Sequence, residues 1–396
     1  MIDYEPFSES VREDPYRHYR SLREHAPVHW AEQAEAWVVS RFEDVHSIIT
    51  QPKLFSSDAM TAALTGRRTQ PTGDHRVVIA MDPPSHTSFR NIVSRGFTPR
   101  RIAALEPRLR ELVDASMQKI RYEPRFDLIA ELAIPVPVTI IAELLGVESE
   151  RLDDFKRWSD EIIAGVTGSQ RGVGEGDLSS IAAAIAEYHE YFQKIIEERE
   201  REPRDDLVSV LIRAREGNDA LQPREIITFG LTLLIAGNET TTNLIGNMVM
   251  TLLDHPEQLE RVRKDRRLIP NLIEETLRFE SPLQFLFRRV CSEVEIAGTT
   301  LPVDTIVMPL IGSANRDERR FERPDEFVIN RPDQGHLAFG FGPHFCIGAS
   351  LARLEAQIVI EALLDELPRL RRSSARFLSI DSFMLRGPRR LDLEWV

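Results

Sequence analysis

One short stretch limits this chain more than any other. Phe339–Gly348 reads FGFGPHFCIG and runs straight into a long amphipathic segment, ASLARLEAQIVIEALLDEL. Cys346 therefore closes a glycine-rich turn at the start of a helix. Free backbone N–H groups and the positive end of the helix dipole favour a thiolate there. Gly340, Gly342 and Gly348 let the backbone approach a flat, bulky partner closely. A lone thiolate is too few for a zinc or iron–sulfur centre, and Cys291 is the only other cysteine. It suffices for haem, where one axial thiolate donates electron density that favours O–O cleavage. Two other readings stand beside this one. Cys346 can be a buried structural cysteine, or a thiol nucleophile with His344 as its base. Against the second, residues two apart in a tight loop seldom face each other, and no third orienting group is evident.

The rest of the chain reads as helical. Apolar residues recur near the helical period over Pro15–His25, Phe42–Thr50, His86–Phe97, Arg100–Arg121, Ser149–Ala164, Leu178–Arg201, Asp206–Glu216, Pro223–Asp254, Pro270–Phe279 and Cys346–Glu366. Strand signals are few: Ala36–Ser40, then Phe287–Ile296 and Thr305–Pro309 as a pair with Gly298 in the turn between, and Leu391–Val396 as an edge strand. Ser56–Ile79 and Gly165–Gly176 read as long loops, either lids over a pocket or plain connections. No internal repeat or proline-rich linker divides the 396 residues. The expectation is one domain over 1–396, mainly α with a small β part.

Charge and composition narrow the function. Lys and Arg number 50 against 63 Asp and Glu, a net charge of −13, which argues against nucleic acid as a partner. Two cysteines in so long a chain suit a reducing compartment. The start, MIDYEPFSESVRED, is acidic and polar, so neither a signal peptide nor a membrane anchor is expected, and the location expected is cytoplasmic. Ile226–Leu253 carries only one charge, Glu239, but Asn238, Thr240, Thr241, Thr242, Asn243 and Asn247 interrupt it. It reads as a helix through a protein interior rather than a membrane span.

Phe339, Gly340, Gly342, His344, Cys346 and Gly348 fill the pattern FGxGxHxCxG. This resembles the haem-binding loop of the cytochrome P-450 family, in the form with His two before Cys that is typical of soluble bacterial members. The long central helix carries Ala236-Gly237-Asn238-Glu239-Thr240-Thr241. A carboxylate beside a hydroxyl within an apolar helix is costly unless used. Gly237 would leave a gap in the helix wall where a ligand could press. Neighbouring helical side chains point about 100° apart, so Glu239 and Thr240 can serve one proton relay. In the plainer alternative Thr240 bonds back to the preceding turn and Glu239 pairs with an Arg. The resemblance makes this the oxygen-activation segment, with Thr240 as its alcohol, Glu239 as its acid, and Ala236 and Gly237 lining the cofactor.

Glu275 and Arg278, in IEETLRF, stand at i, i+3 on a helix, a weak signal by itself. In the resemblance they match the ExxR motif, a buried ion network completed by Arg331 of FVINRP, whose role is structural. The haem propionates call for cationic donors, and His86, Arg90, Arg288 and His344 resemble the family's contacts. Adjacent Arg289 should point to the opposite strand face from Arg288.

The resemblance implies a mainly α, triangular fold around haem b (iron protoporphyrin IX), with Cys346 as thiolate ligand and O2 as co-substrate. NAD(P)H enters only indirectly, through a reductase. The reaction implied is a monooxygenation, hydroxylating a C–H bond. From Pro83 to Leu105 there is no Asp or Glu, but there are Arg90, Arg95, Arg100 and Arg101. That basic face suits docking of an acidic ferredoxin served by a ferredoxin reductase. Family topology places Ile79, Leu233, Ala236, Leu283, Gln284, Phe285, Leu286, Phe383 and Met384 around the substrate, with Gln284 supplying a hydrogen bond and Arg67, Arg68 and Arg76 in the first long loop. Such walls suit a terpenoid or steroid, then a fatty acid or a polyketide or macrolide precursor. Rival classes are a haem-binding sensor without turnover and a cysteine-dependent hydrolase without haem.

Overall fold

The computed structural model describes residues 4–60, 77–168, 175–216, 219–332, 335–374 and 378–396. The main helices are α1 (Pro15–His25), α2 (Phe42–Thr50), α3 (Ser85–Ser94), α4 (Glu106–Tyr122), α5 (Pro135–Leu144), α6 (Leu152–Gly168), α7 (Glu175–Arg201), α8 (Pro223–Asp254), α9 (Ile269–Phe279) and α10 (Ala349–Leu363). The strands are short: β1 (Val28–Ala31), β2 (Ala36–Val39), β3 (Phe55–Ser56), β4 (Arg125–Asp127), β5 (Arg215–Glu216), β6 (Asp219–Ala220), β7 (Arg288–Val290), β8 (Val294–Ile296), β9 (Thr299–Leu301), β10 (Ile306–Pro309), β11 (Leu370–Arg372) and β12 (Asp392–Trp395). The architecture is mainly α with a small β part, as expected.

Local rules account for most boundaries. Proline in the first turn starts α1 and α9, where its missing N–H costs nothing. The expected helix Arg100–Arg121 is two, Pro99–Ala104 and α4. The stretch PVPVTIIAEL of α5 escaped the sequence reading, because prolines and β-branched residues weaken its helical signal. Burial overrides that preference: Val136, Ile140 and Ala142 are wholly inside. Gly165 and Gly168, expected in a loop, belong to the end of α6. Residues 61–76 and 169–174 of the two expected loops, with Arg67, Arg68 and Arg76, lie outside the described residues.

The chain divides into two compact units. One comprises Met1–Ser56, Glu106–Val136 and Thr240–Val396. Its main sheet has the order β1-β2-β10-β7-β3, with β10 parallel to β2 and the other pairs antiparallel. The pleat turns Arg288 inward, 2% exposed, and leaves Arg289 outside, bonded to Asp304 at 2.9 Å. Phe287–Ile296 thus supplies two strands: β7 pairs with β10, and β8 forms a hairpin with β9 around Gly298. The C-terminal segment does not form an edge as expected. β12 lies in the middle of a second sheet, β11-β12-β4, because Leu370–Arg372 and Arg125–Asp127 flank it on both sides. A core of Tyr4, Tyr19, Leu22, Val38, Phe285 and Met308 packs beside the main sheet.

The other unit comprises Ser57–Leu105 and Pro137–Glu239. Here α6 and α7 meet through aromatic side chains, Trp158 edge-on to Tyr188 at 6.0 Å and Tyr188 beside Phe192 at 4.5 Å. Buried Arg199 at the end of α7 donates to Asp206 at 2.6 Å and to the Gly146 carbonyl at 3.2 Å. Asp206 also caps the following short helix by accepting the Ser209 N–H at 2.7 Å, worth about 1 kcal/mol.

Candidate active site

The cysteine loop hangs on three backbone hydrogen bonds. Gly340 N–H donates to the Leu337 carbonyl at 2.8 Å, Cys346 N–H to Phe339 at 2.9 Å, and Phe345 N–H to Gly342 at 3.1 Å. The path needs φ of +68° at Gly340 and +69° at Gly342, where a side chain would be strained. Helix α10 starts at Ala349, not at Cys346 as expected, with Gly348 at its N-cap. Cys346 thus stands just ahead of the helix, exposed, and not buried as a structural cysteine would be.

Behind this loop lies a buried ion network. Arg278 donates to both oxygens of Glu275 at 2.8 Å, and neither side chain is exposed. Arg331 Nε lies 3.3 and 3.2 Å from the same two oxygens, and the Val328 N–H adds a bond at 2.8 Å. Arg278 also donates to the carbonyls of Asn315, Pro324 and Glu326 at 3.0, 2.8 and 3.1 Å. Burial lowers the Arg278 pKa, and Glu275 opposes that fall. Asn315 carries the network toward the loop, since its Oδ1 accepts the Leu337 N–H at 2.6 Å. The three residues named from the sequence therefore meet, and the chain leading into the Cys346 loop is tied to them.

Within the same unit, Thr242 of α8 donates to the Ala133 carbonyl at 3.0 Å, and Asn247 donates to the carbonyls of Glu280 and Arg386, each at 3.1 Å. Buried Thr241 bonds the carboxyl of Glu355 on α10. Burial pushes the Glu355 pKa up to about 8, with Thr241 opposing.

In the second unit, Ile79 is half-buried in a short turn, Val78–Ala80. His86 and Arg90 share one face of α3. His86 is 2% exposed, and burial, then the charge of Arg90, lowers its pKa. Along α8, Thr232, Ala236, Glu239 and Thr240 follow helical spacing and are half-buried or exposed, whereas Leu234, Asn238 and Thr241 are buried. This accessible stripe carries the acid and alcohol named from the sequence. Burial alone pushes the Glu239 carboxyl up to about 7. Gly237 needs a different explanation from the expected ligand gap. A Cβ there would lie 2.7 Å from Ile141 Cδ1, so the missing side chain makes room for α5.

The expected pocket walls separate into two groups. Leu233 and Ala236 are accessible on α8, and Ile79 and Leu283 are half-buried. Gln284 is not a spare hydrogen-bond donor for a substrate. Its Nε2 donates to the Ser281 carbonyl at 2.7 Å, and its Oε1 accepts from the Tyr19 hydroxyl at 3.1 Å. Phe285 belongs to the core beside the main sheet, Phe383 and Met384 pack against that core, and Leu286 is buried. Tertiary packing uses these side chains because the N-terminal segment folds over them, with Phe7 edge-on to Phe383 at 5.5 Å. Of the basic face, Arg95 and Arg100 are exposed, while Arg101 pairs with Asp205 at 3.1 Å.

The donor set fits haem. Among the described residues no group of three or more His, Cys, Asp or Glu could hold a metal ion. One exposed thiolate on a tightly bent loop is the ligand that haem takes and other metal centres do not. His344 in that loop and inward-turned Arg288 are the first unit's candidates for the propionates. Sequence reasoning passed over Glu274, His336, Arg353 and Glu355. Glu274 adjoins Glu275, and the others follow no periodic signal, so only the packing reveals them. No helix among the described residues is long and apolar enough to cross a membrane.

Comparison with known proteins gives the family and the fold. The family model described as Cytochrome P450 matches residues 11–369. The structure of CYP109Q5 from Chondromyces apiculatus superposes with a TM-score of 0.91 at 40% identity, covering 100% of this chain and 98% of that one. CYP109E1 from Bacillus megaterium, solved with corticosterone, gives a TM-score of 0.88 at 36% identity, covering 98% of this chain and 100% of that one. The vitamin D(3) 25-hydroxylase of Pseudonocardia autotrophica is 36% identical over 368 residues, covering 92% of this chain and 89% of the relative.

Proposed function

The chain belongs to the cytochrome P450 family, and on that premise we propose that it hydroxylates a hydrophobic, steroid- or terpenoid-sized molecule in the cytoplasm, with electrons from a ferredoxin. It is a P450 monooxygenase: the substrate takes one atom of O2, and two electrons and two protons reduce the other to water. Haem held through Cys346 supplies the binding and reduction of O2. The chain's own residues supply the rest. The Cys346 loop presents the thiolate, and the Glu275–Arg278–Arg331 network holds the chain that leads into it. Arg288, Arg90, His344 and His86 are the hydrogen-bond donors proposed for the propionates.

One observation carries the reading: the accessible stripe of α8 is apolar at Ala236 and polar where it reaches Glu239 and Thr240. A carboxyl held near neutrality can both take and give a proton, and Thr240 stands beside it to pass that proton on. Accessible Leu233 and Ala236 ahead of that pair suit a guest bound by burial rather than by charge. The corticosterone complex and the vitamin D(3) 25-hydroxylase among its relatives support a steroid-like guest. Exposed Arg95 and Arg100 support an acidic electron donor.

The test is an absorption titration of the haem-loaded protein with steroids, terpenoids, fatty acids and macrolactones, followed by turnover with ferredoxin, ferredoxin reductase and NADPH. A low-spin to high-spin shift with steroids or terpenoids, and a hydroxylated product, is the expected result. A shift confined to fatty acids or macrolactones overturns the substrate class. Binding without product under every donor overturns the enzymatic reading in favour of a sensor.

A further inference from the structure

Arg353 reaches back from α10 toward the cysteine loop. Its guanidinium carbon lies 4.6 Å from the centre of the Phe339 ring. The same guanidinium forks onto Glu274 of α9, Nε to Oε1 at 2.7 Å and Nη2 to Oε2 at 2.8 Å. Glu274 Oε2 also lies 3.3 Å from Nε2 of buried His336. His336 Nδ1 accepts the Ala338 N–H at 3.2 Å, which assigns the ring proton to Nε2, facing the carboxylate. Phe339 closes the chain of contacts, because its carbonyl accepts the Cys346 N–H at 2.9 Å.

An exposed ion pair would contribute little here. This one is bidentate, partly buried and stacked, the geometry in which arginine cannot be exchanged for lysine without loss. Burial raises the Glu274 pKa, but the hydrogen bonds from Arg353 and the nearby His336 outweigh it and hold the group down at about 2. Glu274 is therefore a fixed anion. Arg353 is kept protonated first by its bond to Glu274, and Cys346 is among the negative charges that add to this.

We propose that Arg353 is a positioning residue for the Cys346 thiolate, clamping Phe339 against the loop and setting, by its charge, how readily the haem on that thiolate accepts an electron. The step is the one-electron ferric-to-ferrous reduction, with the electron supplied by any external one-electron donor. Reduction adds a negative charge near Cys346. The Arg353 cation favours that charge, and the Glu274 anion opposes it. The inference rests on Cys346 as the haem ligand and is independent of the substrate and of the natural donor.

The test is a spectroelectrochemical titration of the haem-loaded protein, with dithionite as reductant. Arg353→Gln removes the cation and keeps the anion, so the midpoint potential falls. Glu274→Gln removes the anion and keeps the cation, so it rises. Arg353→Lys keeps the charge but loses the fork and the stacking, so its potential falls less than that of Arg353→Gln. A merely structural role moves the first two in the same direction or moves neither, and either result overturns the proposal. Where Arg353→Gln takes up no haem, Glu274→Gln decides: a rise supports the proposal, and an unchanged or lower potential overturns it. A wild-type protein whose reduced CO complex lacks a thiolate-type Soret band overturns the assignment of Cys346, and this proposal with it. A normal band with same-sign shifts overturns this proposal alone.

Discussion

Glu275 and Arg278 face each other across two parallel hydrogen bonds of 2.8 Å, and neither side chain has any exposed surface. Removing one partner from such a pair leaves the other charge buried and uncompensated. Glu275→Gln should destabilise the protein by about 3–5 kcal/mol. Denaturant unfolding followed by haem release checks this. Arg331 shares Glu275, so the double variant Glu275→Gln, Arg331→Gln should cost less than the sum of the single changes.

Glu239 and Thr240 are adjacent on α8, and the carboxyl is pushed up to about 7 by burial. Thr240→Ala should lower product formed per NADPH consumed by about ten-fold, the equivalent of ~1.4 kcal/mol. Glu239→Gln should slow turnover by about 100-fold. The wild-type rate should change as pH crosses about 7, where the carboxyl loses its proton. The amide variant should show no such change. Coupling assays and pH–rate profiles measure both effects.

Glu355 gives a separate pH effect, on stability rather than rate. Its pKa of about 8 in the folded protein lies above the ordinary carboxyl value, so the folded state holds the proton more tightly than the unfolded chain. This contribution is complete below the unfolded value near 4.3 and is lost as pH rises through about 8. Glu355→Gln, neutral at every pH, should flatten that decline and be more stable than wild type above pH 8. Urea unfolding from pH 5 to about 9 would show the two curves diverging.

Arg95 and Arg100 are the exposed members of the basic face, whereas Arg101 is engaged with Asp205. Reversing Arg95 and Arg100 to Glu should slow reduction by an acidic ferredoxin at least about ten-fold at low salt. Raising the ionic strength should shrink the difference. The substrate-induced spectral shift should stay as in wild type. Stopped-flow reduction at two salt concentrations distinguishes these outcomes.

Much of the site was legible because its signals are local. The cysteine loop lies within ten residues, Glu275 and Arg278 are one helical turn apart, and Glu239 and Thr240 are neighbours. The period-2 alternation of a strand also separated Arg288 from Arg289 correctly. Expectations that depended on distant partners fared differently. Gln284 looked available until Tyr19 and Ser281 were found bonded to it. Gly237 looked like a gap until Ile141 of α5 was found beside it. The C-terminal strand looked like an edge because neither β4 nor β11 advertises which strand it will pair with. Arg353 and His336 gave no signal at all, since their partner Glu274 lies 79 residues from Arg353 along the chain.

The sequence by itself determined most of the helices, the tight turn before Cys346 and the side-by-side acid and alcohol. Each follows from φ/ψ preference and helical period, which act over a few residues. Only the tertiary structure decided the ionisation of those groups and their neighbours. Glu239 and Glu355 are pushed toward neutrality, while Glu274, one residue from Glu275, is held as an anion. The physical reason is that a carboxyl's charge depends on the solvent it loses and the cations it meets. Folding supplies both from residues remote in the chain.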